Sequence, residues 1–314
     1  MKLSVVATLY RSSEYLDEFC RRTGAAAAQL AGDDFEIILV NDGSPDDSLE
    51  RALGLSKTNP HLVIVDLSRN FGHYKAIMTG LAQAKGENLF LIDSDLEEEP
   101  EWLLPFSQQK VEAGCDVVYG VQKRRKGDFF ERWSGQCFYR LFRLMTGLEL
   151  PNSVTTARLM SRRYVDALLR HGEREVFLAG LWFITGFDQR AHAVVKHATS
   201  ETTYTLRKKL SIFVNSVTSF SNAPLIAIFY TGVFISFSAA IFTGFLVVRW
   251  LGFDRPPAGW TSVVASIWLL QGLVISFLGI IGIYLSKIFS ETKQRPYTII
   301  RQIHGKAPPT AAGS

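Results

Sequence analysis

Two aspartates follow a short apolar segment and lie one residue apart. Residues 89–92 are Leu-Phe-Leu-Ile, and Asp93 and Asp95 come directly after them. Side chains at i and i+2 of a strand point to the same face, and a turn at the strand's end lets both carboxylates converge on one small volume. Such a pair of hard oxygen ligands suits Mg²⁺ or Mn²⁺ carrying a diphosphate. The alternative is that these acids favour the N-terminal end of a helix that begins near Pro100.

The pattern around this pair predicts the elements that position it. Apolar segments separated by amphipathic segments and short connections predict strands at 3–8, 36–40, 62–67, 88–92 and 116–120. This alternation predicts an α/β fold with a mostly parallel, Rossmann-like sheet. Ligands of such sheets bind outside the carboxyl ends of the strands, where Asp42, Arg69 and the Asp93/Asp95 pair all fall. We therefore expect these side chains to converge, although turn chemistry explains Asp42 alone equally well.

The sequence argues against several classes of protein. It contains no Gly-x-Gly-x-x-Gly and no Walker lysine loop, which disfavours a dinucleotide dehydrogenase or a P-loop nucleotidase. A net charge of only +4 gives no field for binding nucleic acid. The three cysteines are odd in number and lack metal-ligand spacing, as is typical of reduced residues in a cytoplasmic domain.

Two long uncharged segments predict a membrane hairpin. Residues 223–248 and 261–286 contain no charged side chain, and each exceeds the roughly 20 residues that cross a bilayer core. The loop 249–260 between them has Trp250 and Trp260 near its edges, as an aromatic belt would. Basic residues concentrate before the first segment and in the tail 287–314. The positive-inside rule then predicts a multi-pass protein of the inner (cytoplasmic) membrane, with the catalytic domain and both termini cytoplasmic.

Two further segments mix aromatic and basic residues. In 127–147, arginines interleave with phenylalanines at helical spacing, which predicts a helix at the membrane interface or an amphipathic helix packed on the sheet. Residues 206–222 precede the first uncharged segment directly and are interpreted as a juxtamembrane amphipathic helix. The catalytic domain is accordingly placed at 1–205.

Several short motifs together resemble a known family over about residues 2–300. They occupy residues 40–44, 67–72, 92–96, 117–120, 138–141, 180–181, 186–187 and 218–221. The chain resembles family 2 glycosyltransferases with the GT-A fold. More specifically, it resembles the membrane-anchored polyisoprenyl-phosphate glycosyltransferases of the dolichol-phosphate mannose synthase and bactoprenol glucosyl transferase types.

This resemblance implies a reaction and a set of site residues. One sugar would pass, with inversion, from a nucleotide-sugar, expected to be UDP-linked, to a polyisoprenyl phosphate such as undecaprenyl phosphate in the bilayer. The product would serve cell-envelope glycan synthesis or modification. Asp95, assisted by Asp93, would ligate Mg²⁺ or Mn²⁺ on the donor diphosphate. The implied nucleotide-sugar contacts are Thr8, Tyr10, Glu14, Asp42, Arg69 and Asp93. Candidate cations for the lipid phosphate are Arg125, Arg158, Arg207, Lys208 and Lys209.

The chain departs from the family pattern at two places. After Asp95, the family often has Leu-Gln-Asp-Pro-Pro, whereas this chain has three glutamates, 97–99, which we interpret as solvated charges at a helix start. Thr156 stands where the family commonly carries an aspartate discussed as a base, and only Arg158 of that motif is retained. A phosphate monoester has a second pKa of about 6 and is already a nucleophile at neutral pH, so it needs positioning more than a base. The predicted catalytic set is therefore Asp93, Asp95, Thr156 and Arg158.

Other functions remain open on the sequence alone. A processive polysaccharide synthase is disfavoured, because the chain has two spans and no Gln-x-x-Arg-Trp motif. A non-catalytic membrane scaffold descended from the enzyme is supported only by Thr156, and a glycosyltransferase with another acceptor is a further alternative. The sequence leaves open whether the protein forms a homo-oligomer.

Overall fold

The computed structural model describes residues 1–122, 154–173, 178–196, 214, 217, 218, 221–252 and 259–305. The described chain forms two compact units, one built on a mixed β-sheet and one containing two long helices. The strands are β1 (Leu3–Leu9), β2 (Phe35–Asn41), β3 (Leu62–Leu67), β4 (Asn88–Leu91), β5 (Val117–Gln122), β6 (Val154–Ser161), β7 (Gln189–Val194) and β8 (Ile300–His304). The helices are α1 (Leu16–Ala31), α2 (Ser48–Ser56), α3 (His73–Gln83), α4 (Leu103–Ala113), α5 (Arg162–Leu169), α6 (Leu178–Ile184), α7 (Ala223–Gly252) and α8 (Trp260–Thr292), with a 3₁₀ turn at Pro100–Trp102.

The strands form one sheet in the order β7-β5-β6-β4-β1-β2-β3-β8. The four strands β3, β2, β1 and β4 are parallel, as the sequence predicts. All seven residues of β1 and of β2 are buried, since helices cover both faces. On one face Phe19 of α1 joins the core formed by Val5 and Ile37. On the other, Gly80 lets α3 approach closely, because a Cβ there would lie 2.5 Å from the Val6 side chain.

The sheet is mixed, with parallel pairing at its centre and also between β5 and β7. β6 lies between β4 and β5 and is antiparallel to both, and β8 is antiparallel to β3. The register pairs Leu91 at the end of β4 with Arg158 of β6. The insertion of β6 therefore places Thr156 and Arg158 beside the turn that carries the two aspartates. Strands β6, β7 and β8 were not among those predicted.

The last strand comes from the segment interpreted as a cytoplasmic tail. Arg301 of β8 donates from Nη1 to Oδ2 of the buried Asp66 on β3, at 3.1 Å. Asn41 at the end of β2 donates to the other oxygen of Asp66 at 2.8 Å, and its own Oδ1 accepts from the backbone N–H of Ser44. The segment after α8 is thus connected by hydrogen bonds to the loop that follows β2.

The helical unit contains the two segments predicted to cross the membrane. α7 and α8 are continuous helices over these ranges, and Tyr284 of α8 donates to the carbonyl of Ser221 at 2.6 Å. Within the described residues, Leu270–Thr292 of α8 is long and apolar enough to cross a bilayer. The part of α7 from Ala223 to Ile235 is apolar but shorter. The predicted interfacial helix 127–147, most of 206–222, and the loop residues 253–258 lie outside the described residues.

We expect Arg301→Met to lower the free energy of unfolding by about 1 kcal/mol, because the buried carboxylate of Asp66 loses a hydrogen-bond donor. This change corresponds to a melting temperature lower by about 2–4 °C. Arg295→Met removes an exposed arginine from the same segment and should leave the melting temperature unchanged. Thermal unfolding of the purified protein in detergent measures both. Equal melting temperatures for the two variants would contradict a stabilising role for Arg301.

Candidate active site

A cleft of about 490 Å³ opens at the carboxyl ends of β1, β2 and β4. Because β1 pairs in parallel with both neighbours, the three strands deliver their following loops to one edge of the sheet. Five residues selected from the sequence line the cleft: Thr8, Tyr10, Asp42, Asp93 and Asp95. The other lining residues are Ser12, Asn70, Gly72, His73 and Ser94. The predicted convergence of Asp42 with the Asp93/Asp95 pair is confirmed.

The turn after β4 is fixed by the serine between the two aspartates. Ser94 is buried, its hydroxyl donates to the carbonyl of Thr8 at 2.7 Å, and it lies 2.9 Å from the hydroxyl of Ser12. These bonds join the end of β4 to the end of β1 while the flanking aspartates stay partly exposed. The next residue, Leu96, adopts a left-handed φ of 57°, which costs a non-glycine residue about 1–2 kcal/mol. Leu96 packs against the hydrophobic core, which offsets that cost.

Asp42 anchors the loop that follows β3. Its two carboxylate oxygens accept the backbone N–H groups of Phe71 and Gly72, at 2.7 and 3.0 Å, and its carbonyl accepts from the Asn70 amide. Burial raises the pKa of Asp42, and the two N–H groups partly offset that rise. Gly43 has a φ of 60° and brings the chain so close that a Cβ would lie 2.5 Å from the Asn70 nitrogen. Asp42 therefore shapes the cleft as well as lining it.

His73 is a cleft residue that the sequence reasoning missed. It is the first residue of α3, with Nδ1 3.1 Å from the Thr8 hydroxyl and Nε2 3.5 Å from Oδ1 of Asp93. Its side chain is 46% exposed, so it is accessible to a ligand. The sequence offered one signal that could have identified His73. It directly follows the motif that ends at Gly72 and begins a predicted helix, and a helix N-terminus favours anions.

The interpretation of the three extra glutamates as solvated charges is wrong for two of them. Glu98 is fully buried, and its Oε1 accepts the backbone N–H of Thr156 at 2.9 Å. Oε2 of Glu98 is buried and has no hydrogen-bond partner among the residues that the structure describes. Glu97 is partly buried and pairs with Lys196, just after β7, at 3.0 Å. The acidic turn faces the sheet because it meets β6, a strand that the sequence reasoning did not find.

Burial and mutual repulsion shift the pKa values of these acids upward. Burial, and then the charge of Asp93, raise the pKa of Glu98 to about 8. Burial also raises the pKa of Asp95, although the N–H of Glu97 donates to its Oδ1 at 3.0 Å. Burial lowers the pKa of Lys196, but the surrounding carboxylates, led by Glu98, outweigh burial and raise it. The site thus carries an excess of acidic groups that a bound cation would relieve.

Thr156 and Arg158 lie on β6, beside the acidic turn. Arg158 is only 1% exposed, and its guanidinium lies over the ring of Trp182 and donates to the carbonyls of Thr155 and Thr156. Burial lowers the pKa of Arg158 to about 9. Arg158 is almost fully enclosed, so its predicted role as a ligand of the lipid phosphate requires the site to open.

The remaining predicted residues are less central or lie beyond the described chain. Arg69 is exposed next to the lining residue Asn70, donates to its carbonyl at 2.9 Å and stacks on Phe71. Glu14 is exposed in the turn before α1. Neither Arg69 nor Glu14 is among the described residues that line the cleft. The predicted phosphate ligands Arg125, Arg207, Lys208 and Lys209 lie outside the described residues.

The donor set of the cleft fits a divalent cation carried by a diphosphate. Among the residues that the structure describes, no group of three or more His, Cys, Asp or Glu side chains could hold a metal by itself. Mg²⁺, however, is typically bound by one or two carboxylates, with waters and substrate phosphates as its other ligands. Asp95 and Asp93 are the residues that would hold it here, and their roles remain predictions.

Comparisons with known proteins place these features in context. Residues 4–169 match the family model described as glycosyl transferase family 2. A Mycobacterium tuberculosis protein named as a glycosyltransferase is 48% identical over 97% of this chain and 89% of its own length. The bactoprenol glucosyl transferase of Shigella phage SfII is 28% identical over 97% of this chain and 99% of its length. The solved structure of S. aureus TarS 1–349 with UDP-GlcNAc aligns with a TM-score of 0.48 at 18% identity, over 70% of this chain and 66% of that chain.

We expect Glu98 to make the metal-free protein less stable as pH rises. Its pKa is about 8 in the folded state against 4.5 ordinarily, so the folded state binds more protons between these values, and stability falls as pH rises through that window. Glu98→Gln mimics the protonated acid. Its melting temperature should exceed that of the wild type by a margin that grows from pH 5 to pH 8.5. Melting curves in EDTA measure this difference, and a difference that does not change with pH would contradict the raised pKa.

Proposed function

Because the chain belongs to glycosyl transferase family 2, we propose that it transfers one sugar from a nucleotide-sugar to a polyisoprenyl phosphate at a membrane surface. The observation that carries this proposal is the cleft of a GT-A-like mixed sheet in which Asp93 and Asp95 meet the ends of β1 and β2. Similarity to a bactoprenol glucosyl transferase along nearly the whole of both chains supports the lipid acceptor.

The nucleotide half of the donor is assigned to the side of the cleft formed by β1 and β2. Tyr10 is 48% exposed and offers a ring for stacking, while Thr8 and the loop held by Asp42 form the floor. His73 lies at the N-terminus of α3, where N–H groups and the helix dipole favour a phosphate. A cation held by Asp95 and Asp93 would neutralise charge on the leaving diphosphate.

The acceptor side is assigned to β6. Thr156 provides no carboxylate, and a lipid phosphate, largely dianionic at neutral pH, does not need one to become a nucleophile. The phosphate requires cations and a fixed position instead. The predicted cations are the basic residues 125 and 207–209, and Arg158 on β6 if the site opens to expose its guanidinium. This assignment favours a phosphate acceptor over a sugar hydroxyl, which would benefit from a general base.

The helical unit supports anchoring in a membrane. Large apolar side chains on both helices are exposed, among them Phe234 at 71% and Ile275 at 68%. Apolar surface of this kind indicates contact with lipid or protein. The chain leaves the sheet-containing unit before α7 and returns to it at β8, so any membrane between these points must be crossed an even number of times. A two-helix hairpin with both termini cytoplasmic satisfies this condition.

We expect purified protein with Mg²⁺ or Mn²⁺ and undecaprenyl phosphate to convert one labelled nucleotide-sugar of a panel into organic-extractable product. Asp95→Asn should lower this transfer by about 100-fold or more, because the leaving diphosphate loses its cation. Asp33→Asn, which changes a fully exposed aspartate, should leave the rate within about twofold.

The products separate the alternatives. A single lipid-linked sugar supports the proposal, whereas a polymer would indicate a processive synthase. Nucleotide binding without extractable label for any donor would overturn the lipid-phosphate acceptor and favour another acceptor or a scaffold.

We expect the loop between α7 and α8 to face outward. With Cys20, Cys115 and Cys137 replaced by serine, Ala258→Cys should react with a membrane-impermeant maleimide on intact spheroplasts. Asp33→Cys, in the sheet-containing unit, should react only after lysis. The reverse pattern, or equal labelling of both positions, would contradict the proposed topology.

A further inference from the structure

One group of polar side chains joins the two sides of the candidate active site. From the acidic turn after β4, Glu98 accepts the N–H of Thr156 on β6. From the same turn, Glu97 pairs with Lys196 at 3.0 Å, and Lys196 lies 3.9 Å from Glu98. The N–H of Glu97 in turn donates to Asp95. A continuous set of contacts therefore runs from the proposed metal carboxylate to the proposed acceptor strand.

The burial of this group is costly, and its cost calls for an explanation. Glu98 is fully buried and one of its carboxyl oxygens has no partner among the described residues. Leaving a buried polar atom without a hydrogen bond lowers the free energy of unfolding by about 1–3 kcal/mol. A leucine would fill a similar volume without that cost. Such groups are few in native proteins, and stability alone does not account for Glu98.

We propose that Glu98 and Lys196 are positioning residues, which hold the donor-side turn and the acceptor-side strand at the separation that sugar transfer needs. This inference rests on the function proposed above. Glu98 fixes the turn to β6 through the N–H of Thr156, and Lys196 fixes the same turn to the end of β7 through Glu97. Neither side chain lines the cleft among the described residues, so neither is assigned a contact with substrate.

The separation matters because transfer needs the attacking oxygen and the sugar carbon close together. Reacting atoms must come to about 3–3.5 Å in line, and an error of about 1 Å can cost about 100-fold in rate. The donor is held by the turn that carries Asp93 and Asp95, and the acceptor is assigned to β6. β4 and β6 are paired only up to Leu91 and Arg158, so beyond that pair the Glu98 bond continues the connection.

Three substitutions separate positioning from the alternatives. Glu98→Leu fills the buried volume but removes the acceptor for Thr156. Glu98→Gln keeps an oxygen acceptor for the N–H of Thr156 and removes only the charge of the carboxylate. Lys196→Met breaks the second connection. Glu101→Gln is the matched control, since Glu101 is a nearby acid in an ion pair with Arg22 of α1 and joins neither β6 nor β7.

The experiment measures kcat and KM with the nucleotide-sugar that proves active in the transfer assay, using full-length protein in detergent. Binding of UDP with Mg²⁺ by calorimetry and the melting temperature are measured on the same preparations. We expect Glu98→Leu to lower kcat at least 30-fold, with KM for the donor and UDP affinity nearly unchanged and with no loss of melting temperature. Glu98→Gln should retain kcat within about threefold, Lys196→Met should lower it at least tenfold, and Glu101→Gln should match the wild type.

Other outcomes overturn the proposal in distinguishable ways. If Glu98→Leu keeps its kcat, or loses kcat, UDP binding and melting temperature together, Glu98 does not position the two sides. If Glu98→Gln is as inactive as Glu98→Leu, the ionised carboxylate itself is required, and Glu98 is not a positioning residue. A wild-type protein that binds UDP but transfers sugar from no donor overturns the proposed function, and this inference with it.

Discussion

The parallel pairing of β1 with β2 and β4 is the constraint on which the rest of the site depends. The ladders align Thr8 with Val40 and Val6 with Leu91, so three chain turns occur side by side at one edge of the sheet. Each turn is then held by a local polar contact, Asp42 to the loop before α3 and Ser94 to the end of β1. Residues far apart in sequence meet because the backbone ladder leaves them no other arrangement.

Electrostatics give this edge its chemical character. Asp93, Asp95, Glu97 and Glu98 lie on a single short turn, and burial raises the pKa of two of them. Lys196 offsets only part of this charge. Such an arrangement is unfavourable for the acids by themselves, and a bound cation would relieve it. Through Glu98, the same acidic turn is connected to the N–H of Thr156 on β6.

The chain returns to the sheet after α8 and adds β8 beside β3. Arg301, Asp66 and Asn41 form a hydrogen-bonded series from β8 to the loop after β2. An Asp at position 41 would place a second carboxylate beside Asp66, whereas the amide of Asn41 donates a hydrogen bond to Asp66. The segment was interpreted as a tail because a five-residue edge strand with alternating polar residues carries a weak signal and gains its partner only from β3.

The sequence by itself determined the local elements and the chemistry at their ends. Runs of apolar residues defined the first five strands, and the carboxylates following β2 and β4 were identified because a parallel sheet presents such positions to ligands. Only the tertiary structure decided that β6 inserts antiparallel beside β4, that Glu98 is buried against Thr156, that Arg158 is enclosed under Trp182, and that His73 bridges Thr8 and Asp93. These facts depend on pairing between segments distant in the chain, and periodicity reports which face of an element is buried but not which partner buries it.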